Sequence, residues 1–158
     1  MIDNVELEVP PYEQETEWSC GPAALKIILD YYGHKVSEDQ LIQLSGAKEK
    51  GGTEHEGLVN AAQQLGYRVI SKDNSSVEEI KTYIDQHLPV LVDFQGNRGG
   101  HYAVVTAIKN NRVFLQDPRK HGSPKHSLNT YLFNARWYNI TYNDRRLIKK
   151  WFMVVIPE

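Results

Sequence analysis

One cysteine stands in the whole chain: Cys20, within Gln14-Glu15-Thr16-Glu17-Trp18-Ser19-Cys20-Gly21-Pro22 and directly ahead of an apolar helical repeat. A thiol at a helix start meets unpaired backbone N–H groups and the positive end of the helix dipole, both of which favour a thiolate. Far downstream, Gly99-Gly100-His101-Tyr102 opens an apolar strand, and Gln116-Asp117-Pro118 closes the next one. A thiol, an imidazole and a carboxylate, each at the end of a regular element, are the components of a nucleophilic relay.

Each residue also has a plainer reading. A lone free cysteine is by default a small buried hydrophobe. Against that, Cys20 precedes Gly21-Pro22, a poor helix interior and a good turn for exposing a thiol. The glycines before His101 allow a backbone to approach closely. Asp117 before Pro118 is by itself only a turn signal. Its weight comes from the hairpin that Asn110-Asn111 predicts, which brings His101 and Asp117 to the same end of a sheet, as a base and its carboxylate require.

Other chemistries fare worse. His55-Glu56 has Val59 where a zinc-protease helix needs its second histidine. His121 and His126 read as a basic loop without a cysteine or carboxylate partner, so no metal is expected there. No Gly-rich loop carries the Lys-Ser/Thr of a phosphate cradle. No cofactor is called for.

The elements that must position these residues change character along the chain. Ser19 is a candidate cap for a helix from Cys20, with Ala24, Leu25, Ile28, Leu29 and Tyr32 on one face and Gly33 as the stop. Ser37 with Gln40, Thr53 with Glu56 and Ser76 with Glu79 have the spacing of capping boxes for three more helices. The helix after Thr53 has Leu58, Ala61, Ala62 and Leu65 inward, and a short strand, Tyr67 to Ser71, follows it. Val90 to Phe94, Tyr102 to Lys109, Arg112 to Gln116 and Trp151 to Ile156 read as strands, with a Gly-rich turn from Gln95 to Gly100. A helix is expected from about Ser127 to Ala135. Helices first and an antiparallel sheet second make an α+β layout, with Cys20 on the helical side and His101 on the sheet side of a cleft.

The 158 residues suit one domain, 1–158, of ordinary composition, 41% apolar and 24% charged. A net charge of −2 gives no reason to expect nucleic-acid binding. The charge is uneven: residues 1–20 hold six acids and no base, and residues 109–150 hold ten Lys/Arg against Asp117 and Asp144. Such asymmetry can steer a charged peptide or simply mark two solvated faces. One cysteine forms no intrachain disulfide, and neither a signal sequence nor an apolar run of about 18 residues is present. If the first residue is the native start, a cytoplasmic protein with no membrane segment is expected.

Taken together, Gln14, Cys20-Gly21-Pro22-Ala23-Ala24, Gly52-Thr53, Gly57-Leu58, Ala61-Ala62, Leu65-Gly66-Tyr67, Pro89-Val90, His101-Tyr102 and Asp117-Pro118 resemble the double-glycine, bacteriocin-processing peptidases. These are papain-like thiol peptidases, found at the N-terminus of ABC exporters or as stand-alone relatives. The resemblance implies a papain-like fold with Trp151 to Ile156 closing its sheet. Carried over by position, it implies Cys20 as nucleophile, His101 as general base, Asp117 as its orienter and Gln14 as oxyanion donor. A side-chain amide beside the Cys20 backbone N–H is suited to a developing oxyanion. Trp18, Gly21, Gly100 and Tyr102 are the expected substrate-binding positions, with bulky Trp18 and Tyr102 narrowing the cleft. The implied substrate is a leader peptide cut after small residues, and the implied partner a separate exporter. No transporter segment or ATP-binding motif follows in this chain, and the basic stretches 119–125 and 136–150 exceed what the resemblance requires. A papain-fold acyl transferase and a catalytically silent peptide-binding module remain open alternatives, since the first needs the same relay and the second only the same fold.

Overall fold

The computed structural model describes residues 4–97, 99–119, 122 and 124–158. Ala24, Leu25, Ile28 and Leu29 are fully buried along α1 (Cys20–Tyr31), which ends where Gly33 turns left-handed at φ +78°. α2 (Glu38–Ser45) starts as expected, with the Ser37 hydroxyl accepting from the Gln40 N–H. α3 (His55–Gln64) buries Leu58, Ala61 and Ala62 but begins two residues after Thr53. Glu54 is therefore its N-cap residue, and no side chain caps this helix, contrary to the Thr53 expectation. β1 (Arg68–Lys72) leads to α4 (Val77–Ile84), where Ser76 accepts from the Glu79 N–H.

The second half supplies β2 (Val90–Gly96), β3 (Gly99–Lys109), β4 (Arg112–Gln116), β5 (Lys125–Asn129), α5 (Thr130–Arg136), β6 (Tyr138–Ile140), β7 (Leu147–Lys149) and β8 (Phe152–Ile156). Six strands form one antiparallel sheet in the order β1-β8-β2-β3-β4-β5, and β6 pairs with β7 separately. The mixed α+β fold is as expected, and β8 joins the sheet between β1 and β2. Its continuous apolar run, Phe152 to Val155, is buried, as a strand covered on both faces demands. α1 and α4 pack on one side of the central strands, whereas α5 lies against β2, β4 and β5.

Two expectations about local structure change. Gln95 to Gly100 is mostly strand, since Gln95 pairs with Gly100 and Gly96 with Gly99; residue 98 of that expected turn lies outside the described residues. The helix predicted from Ser127 starts at Thr130, capped by Asn129 Oδ1, which accepts from the Leu132 N–H at 2.7 Å. The polar residues before it instead pair with β4, a tertiary opportunity that outweighs weak strand propensity.

The register of β3 and β4 places the rest. Asn110 and Asn111 turn the hairpin with φ of 54° and 59°, as a two-residue left-handed turn requires. Lys109 pairs with Arg112 and Ala107 with Phe114, but Val105 pairs with Leu115, so Thr106 is one residue too many. This bulge moves the register by one. Val104 then faces Gln116, and continuing one step puts Asp117 opposite Ala103. His101 shares a face with Ala103, because side chains alternate with period two. In an unbulged hairpin Asp117 would fall opposite Val104, on the other face.

α2 and α3 meet at Gly57, where an added Cβ would sit 2.1 Å from the Ser45 carbonyl oxygen. A backbone atom cannot swing aside, so Gly57→Ala must push the two helices apart. The expected loss is about 3 kcal/mol, the upper end for overpacking, measured by denaturant unfolding.

Candidate active site

Cys20 is the first residue of α1 and is half-buried. The Ser19 hydroxyl does not cap the helix; it donates to Glu38 Oε2 at 2.6 Å instead. Glu38, buried at the start of α2, also accepts from the Tyr12 hydroxyl at 2.8 Å and from the Glu15 N–H at 3.1 Å. Burial and this hydrogen bond to a carboxylate hold the Tyr12 phenol well above its ordinary pKa. One carboxylate thus ties the segment before Cys20 to the helical layer. The other tie runs to the sheet, where the Gln14 N–H donates to the Pro118 carbonyl at 2.7 Å. The Gln14 side chain is buried beside this bond and donates one amide hydrogen to Thr16 O at 2.8 Å. Its Oε1 has no partner among the described residues.

On the sheet side, the His101 Nε2–H donates to Asp117 Oδ1 at 2.5 Å. That bond leaves Nδ1 as the ring nitrogen available to Cys20, which lines the same cleft and favours the protonated ring. Burial alone lowers the His101 pKa, but the bond to Asp117, the neighbouring Cys20 and the charges of both outweigh it and push it up to about 9. Asp117 moves the other way. Burial raises its pKa, yet the bonds from His101, from His126 and from the Arg119 N–H (2.8 Å) hold it well below the carboxylate range. A thiol, a ring able to hold its proton at neutral pH and an ionised carboxylate therefore stand in a row. Such a row can form a thiolate, deliver a proton to a leaving group and later activate water.

His126 corrects the sequence reading, which gave it no carboxylate partner. Its Nε2–H donates to Asp117 Oδ2 at 2.7 Å, because β5 folds back on β4 with His126 opposite Leu115. His121 of the same reading lies outside the described residues.

A cleft of about 480 Å³ opens beside the thiol. Cys20, Thr53, His55, Asp93, His101 and Tyr102 line one side, and the β6–β7 hairpin, residues 139–146, forms the other. The basic stretch that the resemblance left over is thus partly cleft wall. Of the four expected substrate positions, Gly100 and Tyr102 line the cleft. Gly21 does not; it lies buried under Thr53, whose Oγ1 would stand 2.9 Å from an added Cβ. Trp18 is half-buried and is not among the lining residues, so the narrowing assigned to it falls instead to the hairpin. The Tyr102 hydroxyl donates to Thr53 O at 2.7 Å and steadies the loop before α3.

Two cleft residues escaped sequence reasoning. In the sequence His55 reads only as half of an incomplete zinc motif; in the structure it donates to Asp93 Oδ2 at 2.5 Å and stacks on Trp151, centroids 3.8 Å apart. The signal was Asp93 itself, the one acid inside the apolar run Val90 to Phe94. No cluster of three or more metal-ligating side chains exists among the described residues.

Comparison with known proteins adds the family. Residues 8–145 match the Peptidase C39 family. An uncharacterized protein of Methanothermobacter thermautotrophicus is 32% identical over 105 residues, 66% of this chain and 68% of that protein. The pediocin PA-1 transport/processing ATP-binding protein PedD of Pediococcus acidilactici is 35% identical over 112 residues, 66% of this chain but 14% of that protein. The peptidase domain of Streptococcus ComA, a bifunctional ABC transporter, superposes with a TM-score of 0.74 at 24% identity, covering 93% of this chain and 97% of that one. A double glycine motif protease from an AMS/PCAT transporter, solved with its leader peptide, gives 0.73 at 20% identity, covering 100% of both chains. At these identities the two structures speak for the fold alone. No helix among the described residues is long and apolar enough to cross a membrane.

Two measurements check the geometry without a substrate. Ring-proton NMR should show His101 keeping its proton until about pH 9, and Asp117→Asn should bring that titration down towards the ordinary value of 6.5. With the folded pKa above the unfolded one, His101 stabilises the fold fully below about pH 6.5 and loses that contribution as pH rises through 9. His126→Ala should cost about 1 kcal/mol in denaturant unfolding, one hydrogen bond's worth, while His101 keeps its raised pKa through the separate Oδ1 bond.

Proposed function

Because the chain belongs to the Peptidase C39 family, we propose that it cuts leader peptides after a Gly-Gly pair, with Cys20 as nucleophile and His101 as general base. The observation that carries the reading is the hydrogen-bonded His101–Asp117 pair, whose ring lines the same cleft as the Cys20 thiol. The family is one of cysteine peptidases, and this chain is a cysteine peptidase.

In the proposed reaction the Cys20 thiolate attacks the scissile carbonyl and His101 passes its Nδ1 proton to the leaving amine. Water then attacks the thioester while His101 takes a proton back. Asp117 holds the ring by Nε2 throughout, so the same nitrogen always faces the reacting atoms. The Cys20 backbone N–H, which has no partner in the first turn of a helix, and the second amide hydrogen of Gln14 are the proposed oxyanion donors. The Gln14–Pro118 bond supports this role by fixing Gln14 next to the carboxylate loop.

The preference for glycine rests on the form of the cleft. Gly100 lies against the hairpin, where an added Cβ would stand 3.2 Å from Asn139 Oδ1, and Tyr102 closes the floor. A passage of this kind takes bare backbone and resists branched side chains. The ComA and AMS/PCAT names join a peptidase or protease with a transporter, and the PedD name joins transport with processing, which supports a leader-peptide substrate and an exporter as partner here. A lone thiol suits the reducing cytoplasm, where we place the reaction.

Digestion of a peptide library, read by mass spectrometry, tests the reading. Cleavage should follow Gly-Gly, with alanine partly tolerated at the last position, since one methyl group rarely discriminates beyond roughly 200-fold. Cys20→Ala should abolish cleavage and leave the fold intact. Efficient cleavage after leucine, phenylalanine or arginine would remove the double-glycine specificity.

A further inference from the structure

A second imidazole–carboxylate pair, His55–Asp93, lines the same cleft as Cys20 and has no part in the reaction just described. It is separate from the first by construction. Asp93 pairs with Tyr102 across β2 and β3, while His101 pairs with Phe94, so the two pairs belong to opposite faces of the sheet. His55 is held on its ring face by Trp151 and meets Tyr102 edge-on at 6.2 Å, so its position is built rather than incidental.

The pair is incompletely satisfied. Asp93 is 2% exposed, its Oδ2 is occupied by His55, and its Oδ1 accepts no hydrogen bond among the described residues. A buried acceptor left unpaired destabilises a fold, more so when it is charged. Asp93 is among the residues that line the cleft, the side from which a donor can approach it.

The surrounding charge selects that donor. Glu54 and Glu56 flank His55 at the start of α3; both are exposed, line the cleft and have no ion pair among the described residues. Even with His55 protonated, three carboxylates face one cation. The opposite wall carries Arg145 and Arg146, and Arg146 is engaged by Asp144 at 3.2 Å. The cleft is therefore acidic along α3 and basic along the β6–β7 hairpin. A metal ion does not fit the acidic side, since no cluster of three or more metal-ligating side chains exists among the described residues.

His55 and Glu56 also line a second cavity, of about 520 Å³, that continues along α3 past Asn60 and Gln63. They stand where the two cavities meet, so an extended peptide leaving the thiol along this wall must pass them. We propose that Glu54, Glu56 and the His55–Asp93 pair form a subsite for a lysine or arginine side chain of the peptide substrate. Glu54 and Glu56 receive the charge at the rim, and Asp93 Oδ1 accepts an N–H from its tip. This rests on the peptidase reading for the path of the peptide.

The test uses pairs of ten-residue peptides containing Gly-Gly that differ only by lysine or its uncharged isostere norleucine, placed at each other position in turn. Binding to the Cys20→Ala protein is measured by calorimetry, so the answer does not depend on turnover. At one position lysine should bind about tenfold more tightly than norleucine, the scale of one charge-assisted hydrogen bond. In Glu54→Gln/Glu56→Gln, whose changes are exposed and isosteric, that ratio should fall to within about twofold. Asp93→Asn should lower it as well, provided circular dichroism shows the variant folded. No position favouring lysine, or a preference that the double variant keeps, overturns the subsite. Failure of the peptidase reading looks different: the Cys20 protein then cleaves none of these peptides after Gly-Gly, whatever the binding ratios.

Discussion

A residue on a β-strand has two faces to choose from, and which one it takes depends on every residue counted before it. In this protein the count is altered once, at Thr106. The bulge puts Asp117 on the His101 face instead of the Val104 face, and the 2.5 Å bond between carboxylate and ring depends on that step. The bulge is supported from outside the hairpin. The Thr106 carbonyl accepts from the Leu7 N–H at 2.9 Å, and Glu6 bridges to Ala107, so the segment near the N-terminus occupies β3 beyond the end of β2.

The groups around the cleft come from two layers that must be held in fixed relation. Cys20 belongs to the helices and His101 to the sheet. The connection runs through the twelve-to-nineteen segment, which Glu38 binds to α2 and the Gln14–Pro118 bond ties to the loop carrying Asp117. A buried carboxylate fully supplied with hydroxyl and amide donors is an acceptable structural element; without them it would be costly. The same rule makes Asp93 stand out, because its surroundings supply one donor to two oxygens.

Much of this was legible in the residues. Periodic apolar faces located α1 and α3, the Ser76–Glu79 spacing located α4, and Asn110-Asn111 located the hairpin that aligns His101 with Asp117. What was legible about that hairpin was the end of the sheet, not the face, since nothing in Ala103 to Ala107 announces a bulge. Capping signals were ambiguous in a physical way. Ser19 and Thr53 have the right type and spacing, but the Ser19 hydroxyl goes to a buried carboxylate nineteen residues away, and Thr53 lies one residue before the cap position. β5 is short and polar, and β6 and β7 are three residues each, too short to show a strand pattern; with them went His126 and the far wall of the cleft.

The place of β8 carries a consequence for how the molecule comes into being. β1 and β2 never pair with each other; residues 152–156 lie between them, and β1 has no other neighbour in the sheet. Cys20, His101, Asp117 and the whole cleft wall are synthesised earlier, but the layer beneath them has a gap until this stretch has left the ribosome. Assembly of the sheet thus waits on pairings between residues far apart in the chain, which sets a slow, late closing step.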